Sequence, residues 1–234
     1  CAQIATSHFF APSYLSLSPP SGLIGRAAES AYCHYSSMLD QGAFRRLERL
    51  VACTDYQARS IIGSYSLERS RVETIPPGID VERVRKAKGM DLKAVHGTES
   101  VIVYLGRLHE RSKGVSYLIR SMKQIQRAKL LIIGDGPDRN RYESLVSSLG
   151  LSDSVRFLGR LDSGERITIQ KSADVVAMPS LYEVYGTVFI ESLACGVPVI
   201  AFDMPFWKGL YDGAGLFVEP RSETALAHGI SRLM

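Results

Sequence analysis

The sequence has 234 residues, 45% of them hydrophobic, with 28 Lys and Arg against 24 Asp and Glu for a net charge of +4. Such a chain can bury a sizeable core, and so mild a charge, without a basic stripe interleaved with aromatics, argues against a nucleic-acid partner. No apolar run approaches the roughly 18 residues of a membrane-spanning helix, and Cys1, Cys33, Cys53 and Cys195 lack metal-ligand spacing. With no export signal legible near Cys1, the expected compartment is a reducing cytoplasm.

In chain order, a strand is expected at Gln3–Thr6. A Pro/Ser/Gly-rich loop through Pro20 and Gly25 follows, then a long helical stretch and a strand at Leu50–Cys53. Thr54 and Asp55 can cap a helix running to about Tyr65. Val72–Ile75 reads as a further strand, stopped by Pro76-Pro77-Gly78. The charged stretch from Asp80 to Gly97 has little apolar periodicity and reads as a linker. This gives a partial N-terminal domain over 1–82, a linker over 83–98 and a second domain over 99–234. Three strands with few helices make an incomplete open sheet, so the first domain reads as lacking its opening units. The helical pattern that reaches Met234 without a cap reads as truncated too.

The second half alternates short β-branched runs with amphipathic stretches, the signature of βα units on a parallel sheet. Strands are expected at Val101–Leu105, Lys129–Ile133, Val155–Leu158, Val175–Met178, Val197–Ala201 and Leu216–Val218, with helices between them. Two basic groups stand apart, Arg45, Arg46 and Arg49, then Arg83, Arg85, Lys86 and Lys88. Glu48 and Glu82 interrupt them, which favours a solvated helix face and a charged linker. The competing reading is a peripheral surface leaning on anionic membrane lipid.

Three loops leave the carboxyl ends of expected strands, where open α/β sheets bind ligands. The first runs from Gly106 through Arg107 to Lys113 and Gly114. Its glycines allow a tight turn, and its cations suit phosphate oxygens; a solvent-exposed basic turn is the alternative. The second, Gly134-Asp135-Gly136-Pro137, lacks the third glycine of a dinucleotide fingerprint and reads rather as a turn that lets segments pack closely. The third is Glu183-Val184-Tyr185-Gly186-Thr187-Val188, leading into a helix that carries Glu191. Free amides at Gly186, Thr187 and Val188, with the positive end of the helix dipole, make an anion site that fits a diphosphate. Glu191 lies within an otherwise apolar helix, where a carboxylate needs a partner. That partner is either a ligand's ribose, or a core arginine or backbone amides of the protein itself.

These residues carry a resemblance. The Glu-x7-Glu segment from Glu183 to Glu191, trailed by Ala194-Cys195-Gly196-Val197-Pro198-Val199-Ile200, is similar to glycosyltransferase family 4, retaining enzymes of the GT-B fold. The Gly106-Arg107-Leu108 and Lys113-Gly114 loop, the Gly134 turn, the Val155–Gly159 strand end and the Ile75–Asp80 hinge accompany it in the family's order. The resemblance implies two Rossmann-like domains facing across a cleft. It implies a nucleotide-diphosphate sugar as donor and a glycan, lipid or small-molecule hydroxyl as acceptor; no metal need be invoked, since the cations and the helix dipole neutralise the diphosphate and no Asp-x-Asp motif or His cluster is present. In it Arg107 and Lys113 hold the diphosphate, Glu191 binds the ribose and Glu183 contacts the transferred sugar. Gly186, Thr187 and Val188 donate backbone hydrogen bonds, Gly106 and Gly134 line the donor site, and Gly159 and Arg160 border the base. His8 matches a histidine facing the reacting sugar, although taken alone it reads as a turn histidine. Pro77, Tyr185 and the stretch Phe206–Leu210 depart from the family pattern. Two other classes stay open: a non-catalytic nucleotide-sugar-binding module, and a dinucleotide-dependent oxidoreductase, which the missing glycine disfavours.

Overall fold

The structure, a computed structural model, describes residues 4–6 and 46–234. The chain divides into two compact units, one of residues 1–78 with 182–185 and one of 79–181 with 186–234.

The first unit contains a parallel three-stranded sheet in the order β1 (Ile4–Thr6), β2 (Arg49–Ala52) and β3 (Val72–Thr74). Helix α1 (Asp55–Tyr65) begins where Thr54, in extended conformation, accepts from the Gln57 N–H at 3.0 Å through its hydroxyl, satisfying one of the donors a helix start leaves open. Gln57 in turn accepts from the Cys53 N–H at 2.7 Å. Leu50, Ala52, Ala58, Ile61, Tyr65, Leu67 and Val72 form the core between helix and sheet.

The second unit is a six-stranded, wholly parallel sheet in the order β6-β5-β4-β7-β8-β9. Its strands are β4 (Ser100–Leu105), β5 (Ala128–Ile133), β6 (Val155–Gly159), β7 (Val175–Met178), β8 (Val199–Phe202) and β9 (Leu216–Val218). Continuous apolar runs suit this sheet because both faces are covered. Ile102, Tyr104, Leu130, Ile132, Val175 and Ala177 enter one core. Their neighbours Val101, Val103, Leu105, Leu131, Ile133, Val176 and Met178 enter the other, as strand alternation requires. The expected strand at Val197–Ala201 begins two residues later, at Val199, where pairing with β7 starts. Pro198 has no N–H to give the ladder, and its carbonyl accepts from Val176.

The segment expected as a linker, 83–98, differs from that expectation. It forms most of two short helices, α2 (Val81–Lys86) and α3 (Leu92–His96), capped by Asp80 and Asp91, and the division between units falls after Gly78. Each helix buries one apolar side chain, Val84 at 2% exposure and Leu92 at 3%. The remaining helices of this unit are α4 (Glu110–Lys113), α5 (Val115–Ser121), α6 (Arg139–Ser148), α7 (Ser163–Lys171), α8 (Thr187–Ala194) and α9 (Glu223–Leu233). Among the described residues no helix is long and apolar enough to cross a membrane.

Candidate functional site

Because the strands are parallel, the carboxyl ends of β4, β5 and β6 lie at one end of the sheet, and each strand ends on or just before a glycine with positive φ. Gly106 has φ +156°, Gly134 +131° and Gly159 +70°. They stack directly: the Gly106 N–H donates to Ile133 O at 3.0 Å and the Gly134 N–H to Gly159 O at 2.7 Å. A Cβ on Gly134 would stand 1.9 Å from Gly106 O, and one on Gly136 would stand 2.3 Å from Leu108 O. The Gly134 turn is therefore a close-packing device that seats two loops against one another, and it brings Gly106, Gly134 and Gly159 together.

The loop from Gly106 is laced to that turn. The Leu108 N–H donates to Asp135 O, and the Asp138 N–H returns to Leu108 O. The Glu110 N–H donates to the Asp138 carboxylate at 2.8 Å. The Glu110 side chain accepts from the Ser116 N–H and from the Tyr142 hydroxyl, the latter at 2.7 Å. Burial, followed by the Glu110 carboxylate, holds the Tyr142 phenol protonated well above its ordinary range. On this scaffold Arg107 is exposed and Lys113 half-buried.

The same loop also meets the end of β7. The Leu181 N–H donates to Ser112 O at 2.9 Å, and Gly114, at φ +57°, passes so close that a Cβ would lie 2.5 Å from Pro179 O. Beyond Leu181 the chain reaches Gly186, which opens α8 in the left-handed conformation; among the described residues no side chain caps it. The helix is seated by Phe189, fully buried and stacked on Tyr211 at 4.2 Å and 4°. Trp207 and Phe217 pack around the same ring.

Glu191, one turn into α8, is gripped by Arg166 of α7, Nη1 to Oε2 at 2.7 Å and Nη2 to Oε1 at 3.0 Å. Among the partners the sequence left open, the one present is an arginine, the half-buried Arg166, which sequence reasoning did not name. Nothing in its helix, Ser163–Lys171, marks it out. One turn on, Gln170 donates to Ser192 Oγ at 2.7 Å and to Val188 O at 3.3 Å, joining α7 to α8.

Arg160 is exposed just past β6. Glu183 groups with the first unit, where its Oε1 accepts from the Val184 N–H at 3.2 Å. His8 lies outside the described residues. Among the described residues no group of three His, Cys, Asp or Glu side chains is placed to hold a metal ion.

Residues 88–234 match the family described as Glycosyl transferases group 1. The chain is 36% identical over 145 residues to an uncharacterised glycosyltransferase of Methanocaldococcus jannaschii, covering 60% of this chain and 37% of that protein. It is 30% identical over 203 residues to a D-inositol 3-phosphate glycosyltransferase of Nocardia farcinica, covering 80% of this chain and 45% of that one. Among solved structures it resembles sucrose-phosphate synthase from Thermosynechococcus elongatus at 25% identity and a TM-score of 0.77, over 98% of this chain and 58% of that one. It also resembles Anabaena HepE in complex with UDP-glucose at 19% identity and a TM-score of 0.81, over 99% of this chain and 62% of that one. The chain thus spans less than half the length of these two curated relatives. Its fold is that of the GT-B glycosyltransferases, and the chain belongs to the glycosyl transferases group 1 family.

Proposed function

We propose that this chain forms the donor-binding part of a retaining glycosyltransferase. The enzyme moves a hexose-type sugar from a nucleotide diphosphate to a hydroxyl of a glycan, lipid or small-molecule acceptor. The reaction runs in the cytoplasm or at the cytoplasmic face of a membrane. The observation that carries the reading is the uncapped start of α8 at Gly186, on a unit whose Arg107–Gly114 loop is fastened to the end of β7. A helix start without a cap leaves N–H groups directed outward, and an anion satisfies them. The neighbour that holds UDP-glucose and the relative named for transfer to inositol 3-phosphate support the choice of donor and acceptor classes.

In this reading the sugar–phosphate bond opens through an oxocarbenium-like state, and negative charge builds on the departing diphosphate. Arg107 offers a planar fork and Lys113 a point charge. With the amides of Gly186, Thr187 and Val188 they form a preorganised set aimed at that charge, so no resident metal is assigned. Glu191 accepts from the ribose, Glu183 and His8 face the sugar, and Arg160 borders the base. The acceptor hydroxyl attacks from the face the diphosphate leaves, which retains the anomeric configuration.

The test is turnover with a panel of UDP, GDP and ADP sugars. Arg107→Ala and Lys113→Ala should each lower kcat by about 100-fold or more, while Arg83→Ala, on the exposed face of α2, leaves it unchanged. Equal effects at all three positions would defeat the assignment. Undiminished turnover in EDTA is expected, and loss of turnover would overturn the metal-free reading.

A further inference from the structure

The peptide that joins Arg107 to Leu108 is bonded at both ends. Its carbonyl, Arg107 O, accepts from the Tyr104 hydroxyl at 3.0 Å and from the His109 N–H at 3.0 Å. Its N–H, on Leu108, donates to Asp135 O at 3.0 Å. A peptide plane held in this way restrains the ψ angle of Arg107, one of only two soft torsions the residue has. Arg107 is exposed, so side-chain packing does not set its direction; the backbone it leaves from does.

Two of those three partners are backbone groups, and the third is a side chain. Tyr104, near the end of β4, is 1% exposed and packs in the core with Leu108, Val115, Leu118 and Tyr142. A phenylalanine ring would fill the same space. A hydroxyl buried there costs free energy unless it is bonded, and here it is bonded to the residue that carries the loop's planar cation. Gly106 keeps that path open, because a Cβ on it would stand 2.8 Å from the Tyr104 hydroxyl oxygen.

We propose that Tyr104 is a positioning residue for Arg107: its hydroxyl holds the 107–108 peptide so that the guanidinium is aimed at the outer phosphate of the donor. This rests on the assignment of Arg107 to the diphosphate made above. A nucleoside monophosphate lacks that outer phosphate, so its binding is insensitive to the aim of Arg107.

Calorimetric titration with UDP, GDP and ADP identifies the nucleotide that binds. The chain, Tyr104→Phe, Arg107→Ala and the double variant are then titrated with that diphosphate and with its monophosphate, with melting temperature as the check on folding. Phenylalanine removes one oxygen and keeps the ring. Tyr104→Phe should weaken the diphosphate by about fivefold, the scale of one net hydrogen bond, and the monophosphate by less than about twofold. Once Arg107 is alanine, the same change should alter diphosphate affinity by less than about twofold, because the group it aims is gone.

Equal weakening of diphosphate and monophosphate, or the same loss with and without Arg107, would assign Tyr104 a purely structural role and overturn the proposal. If Arg107→Ala weakens the diphosphate and Tyr104→Phe does not, only the present inference falls. If the chain binds none of the three nucleotides, or Arg107→Ala binds the diphosphate as tightly as the unaltered chain, the donor-site assignment falls and takes this inference with it.

Discussion

The Leu181 N–H donates to the carbonyl of Ser112 at 2.9 Å, and this bond fastens the cation-bearing loop to the segment that leaves β7. It works with Gly114, two residues on, whose missing side chain lets Pro179 O approach. These backbone contacts act together with the Glu110, Asp138 and Tyr142 side chains to fix the loop that carries Arg107 and Lys113.

Gly114→Ala should disrupt that seat twice, by strain at φ +57° and by a methyl placed 2.5 Å from Pro179 O. The expected loss is about 1–3 kcal/mol of stability, with nucleotide affinity down by tenfold or more. Thermal melting and calorimetry on the same sample would measure both.

Two glycines with positive φ, Gly134 at +131° and Gly150 in the left-handed region, should separate sharply. Gly134→Ala puts a methyl 1.9 Å from Gly106 O, whereas Gly150→Ala, at φ +67°, meets nothing within 4 Å. The second should cost only about 1 kcal/mol of backbone strain and leave nucleotide binding intact. The first should give a protein that fails to fold or melts far lower. Urea unfolding of the two variants side by side distinguishes them.

Phe189→Ala should empty a site among three aromatic rings, Tyr211, Trp207 and Phe217, and cost about 3–5 kcal/mol. Because Phe189 seats α8 directly behind Gly186, nucleotide affinity should fall even at temperatures where the variant stays folded. Titration well below its melting point checks this.

Alkaline pH should weaken the first unit through Tyr182. Burial, then Tyr56, then Glu183 push its phenol up to about 12. An unfolded tyrosine loses its proton near pH 10. Below pH 10 both states keep the proton and the contribution is fully present. Between about pH 10 and 12 the unfolded state binds fewer protons, so stability falls as pH rises. Tyr182→Phe should flatten that decline, read from urea midpoints at pH 9, 10 and 11 together with phenolate absorbance.

The strands of the larger sheet were legible because each is an unbroken apolar run buried on two faces. Val175–Met178 is buried at all four positions and has the expected bounds. The segment around α2 and α3 was not legible as structure, since each helix buries a single residue, Val84 or Leu92, and one buried residue leaves no period to detect. Helix α5 was legible as one of the stretches between strands, but its end was not, because the chain tightens into a 3-10 turn at Met122–Gln124, and such turns carry no sequence punctuation. At the candidate site the need of Glu191 for a partner followed from one carboxylate among apolar neighbours. The identity of that partner did not, because Arg166 sits on another helix and is brought near only by the packing of Gln170 against Ser192.

The strand order also governs how the larger unit can assemble. β4 lies at its centre, paired on one side with β5, which follows it in sequence, and on the other with β7, whose Val175 aligns with Ile102. The first half of the sheet can zip locally, but its other edge must wait until the chain as far as Val176 has been made and has returned. Long-range closure of this kind is slow, and meanwhile the apolar edge of β4 lies open to any passing strand. Chains ended before β7 should therefore aggregate, whereas chains ended after β8 can at least close the centre.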